Sequence, residues 1–99
     1  MLFAVTYCVR ANVSEASQKR SLTLFTNWQP PATYVFKAHY ANADGSGGLA
    51  LVETDSAAAA LDVHGAWGPF FSFSMVPLVE IQQATQLGFA HVKWRESVQ

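Results

Sequence analysis

Residues 33–53 read TYVFKAHYANADGSGGLALVE, and this stretch decides the fold. Two runs rich in β-branched and aromatic residues flank Asn42 to Gly48 (NADGSGG), whose Asp-Gly pair and further glycines supply the positive-φ positions of a tight hairpin. The reading is a strand from about Thr33 to Ala41 and an antiparallel return strand from Leu49 to Glu53. The glycine-rich segment joins two strands instead of opening a helix, and it lacks the Lys-Ser/Thr of a phosphate-binding loop. It therefore reads as a turn, with Asp44 as a turn former.

Working outward, Pro30 and Pro31 stop a helix that begins at the capping residue Ser14 and reaches about Trp28, with Leu22, Phe25 and Trp28 as its apolar stripe beside Leu24. Before it, Leu2 to Val9 is a strand apolar or small on both sides: Phe3, Val5, Tyr7 and Val9 alternate with Leu2, Ala4, Thr6 and Cys8. After the hairpin, Asp55 or Ser56 caps a second helix, which carries the Ala57 to Leu61 run and ends around Gly65. The last strand, Phe70 to Ile81, alternates Phe71, Phe73 and Met75 with Ser72, Ser74 and Val76, and Pro77 marks a bend or an edge. The order β-α-β-β-α-β predicts an α+β, ferredoxin-like domain over residues 1–87, with a four-stranded antiparallel sheet and both helices on one face. Within it Gln82 to Leu87 reads as a short helix, and residues 88–99 are a C-terminal tail in which Phe89, Val92 and Trp94 call for a packing surface.

Composition narrows the partners. Six Lys and Arg against seven Asp and Glu give a formal charge of −1, with no basic run to neutralise a row of phosphates, so nucleic acid is excluded as a partner. Hydrophobic residues make up 51% and charged residues only 13%, about half the usual charged share. Too little charge is present to cover a monomer, and the helix-free sheet face (Ala4, Thr6, Cys8, Ser72, Ser74, Val76) is small and uncharged. A homodimer through that face is the expectation. A single cysteine, Cys8, forms no internal disulfide and reads as a small buried hydrophobe; it points to a reducing, cytoplasmic compartment. The start MLFAVTYCVR lacks the features of a signal peptide, and no apolar stretch reaches the roughly 20 residues of a membrane span.

The opening MLFAVTY, the segment NWQPP, the hairpin HYANADGSGGLALVE and the closing WGPFFSFSMVPLVEI together resemble the small bacterial family known as domain of unknown function 3303. The resemblance covers roughly residues 1–85. That family is similar to the dimeric α/β-barrel superfamily, which includes cofactor-free monooxygenases, haem-degrading enzymes, polyketide cyclases and lactone isomerases. The resemblance implies the fold and the dimer, and a pocket between each sheet and its own helices; a fold that hosts many chemistries implies no single activity.

On that footing the pocket would be lined by Tyr7, Phe71, Phe73 and Met75, with Trp28 and Trp67 near the helix ends, which suits a flat, apolar small molecule. The alternative is that these aromatics fill the core. His39 and Tyr40 are neighbours on one strand and point to opposite faces, so one of them reaches the pocket. His39 is the candidate general base, with Tyr7 orienting a substrate oxygen. Against this, Lys37 and His39 share a parity on an edge strand and read as the charged set that protects an exposed edge. His64, near Trp67 at a helix end, is a candidate haem ligand by resemblance or, alternatively, a histidine that complements the helix dipole. The three histidines have no metal-ligand spacing, so no metal and no cofactor are expected. Three functions stay open: a cofactor-independent cyclase, isomerase or oxygenase acting on an aromatic or polyketide-like substrate; a non-catalytic binding or assembly module; and haem binding.

Overall fold

In the computed structural model, which describes residues 1–98, the hairpin closes where its glycines allow. The Asn42 N–H donates to the Gly47 carbonyl at 2.8 Å and the Gly45 N–H to the Asn42 carbonyl at 3.1 Å, with Gly45 at φ 77°. The Asp44 carboxylate accepts from the Ser46 N–H at 3.0 Å, the turn-forming role expected of it.

The elements run β1 (Leu2–Val9), α1 (Glu15–Thr26), β2 (Val35–Ala41), β3 (Gly47–Glu53), α2 (Ala57–Trp67), β4 (Phe71–Pro77) and α3 (Ile81–Ser97). The strands form one antiparallel sheet in the order β2-β3-β1-β4, the α+β ferredoxin-like arrangement that the element order predicts. Both N-caps form as read: the Ser14 hydroxyl accepts from the Ser17 N–H and the Ser56 hydroxyl from the Ala59 N–H, each at 3.1 Å.

The core lies between the sheet and α2. Val5, Ala50 and Val52 project from the central strands onto Ala59, Val63 and Trp67, which recur every four residues along α2, and Tyr34 closes the cluster from the loop before β2. Burying one tryptophan removes roughly 150–250 Å² from water, worth about 4–6 kcal/mol, so α2 is firmly anchored. By contrast α1 buries no residue at all. One helix is packed down and the other stands off the sheet, which leaves a cleft between them.

Three differences from the sequence reading matter. On β2, Phe36 lies opposite Val52 while Ala38 lies opposite Leu51, so Lys37 is the extra residue of a β-bulge. The bulge reverses the alternation beyond it: His39 faces the same side as Phe36, and not that of Lys37. The expected edge-guarding pair of Lys37 and His39 is therefore split. Further on, β4 ends at Pro77 instead of reaching Ile81: the Leu78 N–H makes one last bond to the Leu2 carbonyl at 2.8 Å, where its partner strand β1 begins. The expected short helix over 82–87 is one unbroken helix to Ser97, with Gly88 inside it, because a glycine within a helix costs only about 1 kcal/mol. Among the described residues no helix is long and apolar enough to cross a membrane.

Candidate functional site

Tyr7 occupies the helix-facing row of β1, directly opposite Gly48 on β3. A side chain at position 48 would collide with the Tyr7 ring, and its absence lets that ring lie flat across β3 towards β2. There the Tyr7 hydroxyl meets Nε2 of His39 at 2.7 Å. Three local features make this contact: the bulge that turns His39 inward, the gap at Gly48, and the antiparallel register that sets all three in line.

From this pair a closed circuit of aromatic rings runs round the sheet side of the cleft. His39 stacks on Phe36 (centroids 5.2 Å apart, planes 14° apart), and Phe36 meets Tyr34 edge-on at 5.3 Å. The Tyr34 hydroxyl lies 3.0 Å from Nε2 of His64, whose ring stacks on Phe73 at 4.5 Å and 2°. Phe73 returns to Tyr7 at 6.0 Å. The helix side is closed by Trp28 and Trp67, packed edge-to-face at 5.5 Å, with Phe25 against both. The space so enclosed is about 150 Å³, open on one side and almost wholly apolar in lining.

Among the described residues, no Lys, Arg, Asp or Glu lines the cleft. Removal from water pushes the Tyr7 and Tyr34 hydroxyls above the usual phenol range and holds His39 and His64 below the usual imidazole range. All four groups are therefore uncharged near neutral pH. With His39 protonated on Nδ1, the Tyr7 hydroxyl donates to Nε2, and the pair can take up a proton without first losing one. Among the described residues, no three His, Cys, Asp or Glu side chains cluster as a metal site would require.

Of the residues singled out from the sequence, Tyr7, Trp28, His39, Trp67, Phe71 and Phe73 come together in this cleft. Three others do not line it. Met75 lines a separate hollow with Phe3, Thr54 and Ala60. Tyr40 projects from the opposite face of the sheet and is 67% exposed. His64 stands behind the lining, tied to Tyr34. Cys8, expected to be buried, is exposed on the helix-free face. Sequence reasoning missed Tyr34 and Phe36, although their aromatic character was a usable signal, and Gly48, which it took only as part of the turn.

A family description, "Domain of unknown function (DUF3303)", matches residues 1–92, beyond the roughly 85 residues that carry the resemblance and well into α3. A search of curated proteins returned no match.

Proposed function

The chain belongs to the DUF3303 family, and from the cleft its fold carries we propose that it is a cofactor-independent small-molecule enzyme of the cyclase, isomerase or oxygenase type. The Tyr7–His39 pair is its acid–base centre. The substrate presents an uncharged aromatic ring to the cleft: about 150 Å³ of apolar space is of the size that benzene fills, and a carboxylate or phosphate would find no counter-charge. A larger polyketide-like substrate would leave its remaining part at the open side.

The single observation that carries this reading is the 2.7 Å contact between Tyr7 and His39 at an apolar wall. As a substrate C–H or O–H proton passes to the Tyr7 oxygen, the phenolic proton passes to Nε2 of His39, and the resulting imidazolium lies over the face of Phe36, where the ring quadrupole favours a cation. Haem ligation by His64 is not part of the proposal, because its Nε2 already meets the Tyr34 hydroxyl and its ring lies flat on Phe73.

The test uses phenylacetone, an uncharged aromatic ketone with acidic C–H bonds, in deuterated buffer. Wild-type protein should speed exchange of those hydrogens, and phenol should compete. If phenol and phenylacetone perturb no Trp28 or Trp67 signal, the cleft is not a binding site. If both bind but exchange is unaccelerated, the non-catalytic binding module replaces the enzyme.

The proposed partner is a second copy of the chain, packed on the helix-free sheet face. That face carries the exposed Tyr40, Leu49 and Val76 beside the exposed Thr6, Ser72 and Ser74, with charge confined to its margins, Lys37 on edge strand β2 and Glu53 at the end of β3. A sheet face uncharged over its centre packs on another at about 10 Å.

A further inference from the structure

Helix α3 buries none of its residues: Ile81, Phe89 and Trp94 are 71%, 74% and 66% exposed. Its apolar side chains lie on two different sides, Ile81, Phe89 and Val92 on one, with Thr85 between the first two, and Leu87, Ala90 and Trp94 on the other. A helix apolar on two sides is built to lie between neighbours. Alone in water, 17 residues with a central glycine and no side-chain N-cap would be marginal.

The size of the molecule gives the same message in area. Its accessible surface is 7420 Å², roughly 1,900 Å² more than the roughly 5,500 Å² of a compact 10.8 kDa monomer. Its radius of gyration is 17.9 Å where about 13 Å is usual. A standard interface takes about 800 Å² from each partner, so the uncovered excess is ample for one stable dimer.

We infer that α3 is an exchange arm: it crosses to a second copy of this chain and packs on that copy's body, while the partner's α3 does the same in return. The inference rests on the sheet-face dimer proposed above. Leu78 is still tied to the sheet, its N–H donating to the Leu2 carbonyl at 2.8 Å, and Val79 and Glu80 then lead to α3, a step of about 7 Å against the roughly 10 Å that separates two packed sheets. Such a step is long enough to carry the start of the arm most of the way to a partner packed on that face. A two-fold pair also supplies both neighbours that the two sides require, the partner's body and the partner's arm. The charged residues of α3 are only Lys93, Arg95 and Glu96, all in its last turns, so the helix lacks the basic face of one that lies on a membrane.

The test replaces Phe89 with the photo-cross-linker benzoylphenylalanine in the full-length chain. Illumination should yield covalent dimers, and sedimentation should show that Phe89→Glu with Trp94→Glu raises the dimer dissociation constant at least 100-fold while the circular dichroism of the sheet persists. An intramolecular cross-link would show the arm folded back on its own body and overturn the inference. So would a wild-type dimer whose dissociation constant the double variant leaves unchanged, although the sheet-face dimer would then stand. A wild-type chain that is monomeric at 50 µM, or that binds vesicles of phosphatidylcholine and phosphatidylserine through α3, removes both readings.

Discussion

The Tyr7 hydroxyl lies 2.7 Å from Nε2 of His39 although their strands are not neighbours; the ring reaches across β3 above Gly48 to make the contact. Two titratable groups that desolvation keeps neutral, joined by a hydrogen bond at the mouth of an aromatic cleft, form a relay able to accept a proton near neutral pH.

Removing either member should disable the relay and spare the fold. Tyr7→Phe and His39→Ala are expected to lower the rate of phenylacetone exchange by about 10²–10⁴, with phenol affinity changed far less, since the apolar walls remain. His39 is on the partly exposed edge strand, so its melting temperature should hardly move. Equal losses in affinity and rate would instead mark the pair as part of a binding wall.

The pH profile follows from the direction of the shifts. His39 works as the neutral imidazole and burial depresses its pKa, so exchange should fall only on acidification below about 6.5, with an alkaline limit above about 10 from Tyr7. Stability carries a matching sign. His39 and His64 bind protons more weakly folded than unfolded, so their contribution is complete above the unfolded value of 6.5 and is lost as pH falls through their depressed folded values. Thermal melts from pH 7.5 to 5 should show this loss, and it should shrink in a His39→Gln, His64→Gln variant.

Gly48→Ala should break the Tyr7–His39 contact from a third residue. Its methyl group would meet the Tyr7 ring and the Tyr40 carbonyl, an overpacking that costs about 1–3 kcal/mol. Because part of that clash is with the Tyr7 side chain, the cost should be smaller in a Tyr7→Ala background, and urea titrations of the four proteins measure the difference. Additive costs would mean that the Tyr7 ring does not lie over Gly48.

Ser74→Arg places a guanidinium on the face proposed to pack against a second copy. An unpaired charge in such an interface costs several kcal/mol, so sedimentation should show monomers, with the aromatic cleft on the other face still able to bind phenol. A variant that remains dimeric would place the interface elsewhere.

The sequence by itself determined the element order, the hairpin at Asn42 to Gly48, the α+β class and most of the cleft's aromatic residues, because these rest on local patterns: turn glycines, a helix period of 3.6 and a strand period of two. What it could not determine is every feature that depends on how one strand lies against another. The face that His39 presents is set by the bulge at Lys37, a matter of pairing between β2 and β3, and alternation read along β2 alone leaves open whether His39 or Tyr40 faces the cleft. Gly48 matters only because Tyr7 is its cross-strand partner, and Tyr34 belongs to the core only once the loop before β2 folds over it. In the same way the apolar residues of α3 were legible, but that they meet nothing in their own chain was a fact of tertiary structure. Local patterns follow from neighbours along the chain; the site is made from residues about 30 positions apart, and only the assembled sheet brings those together.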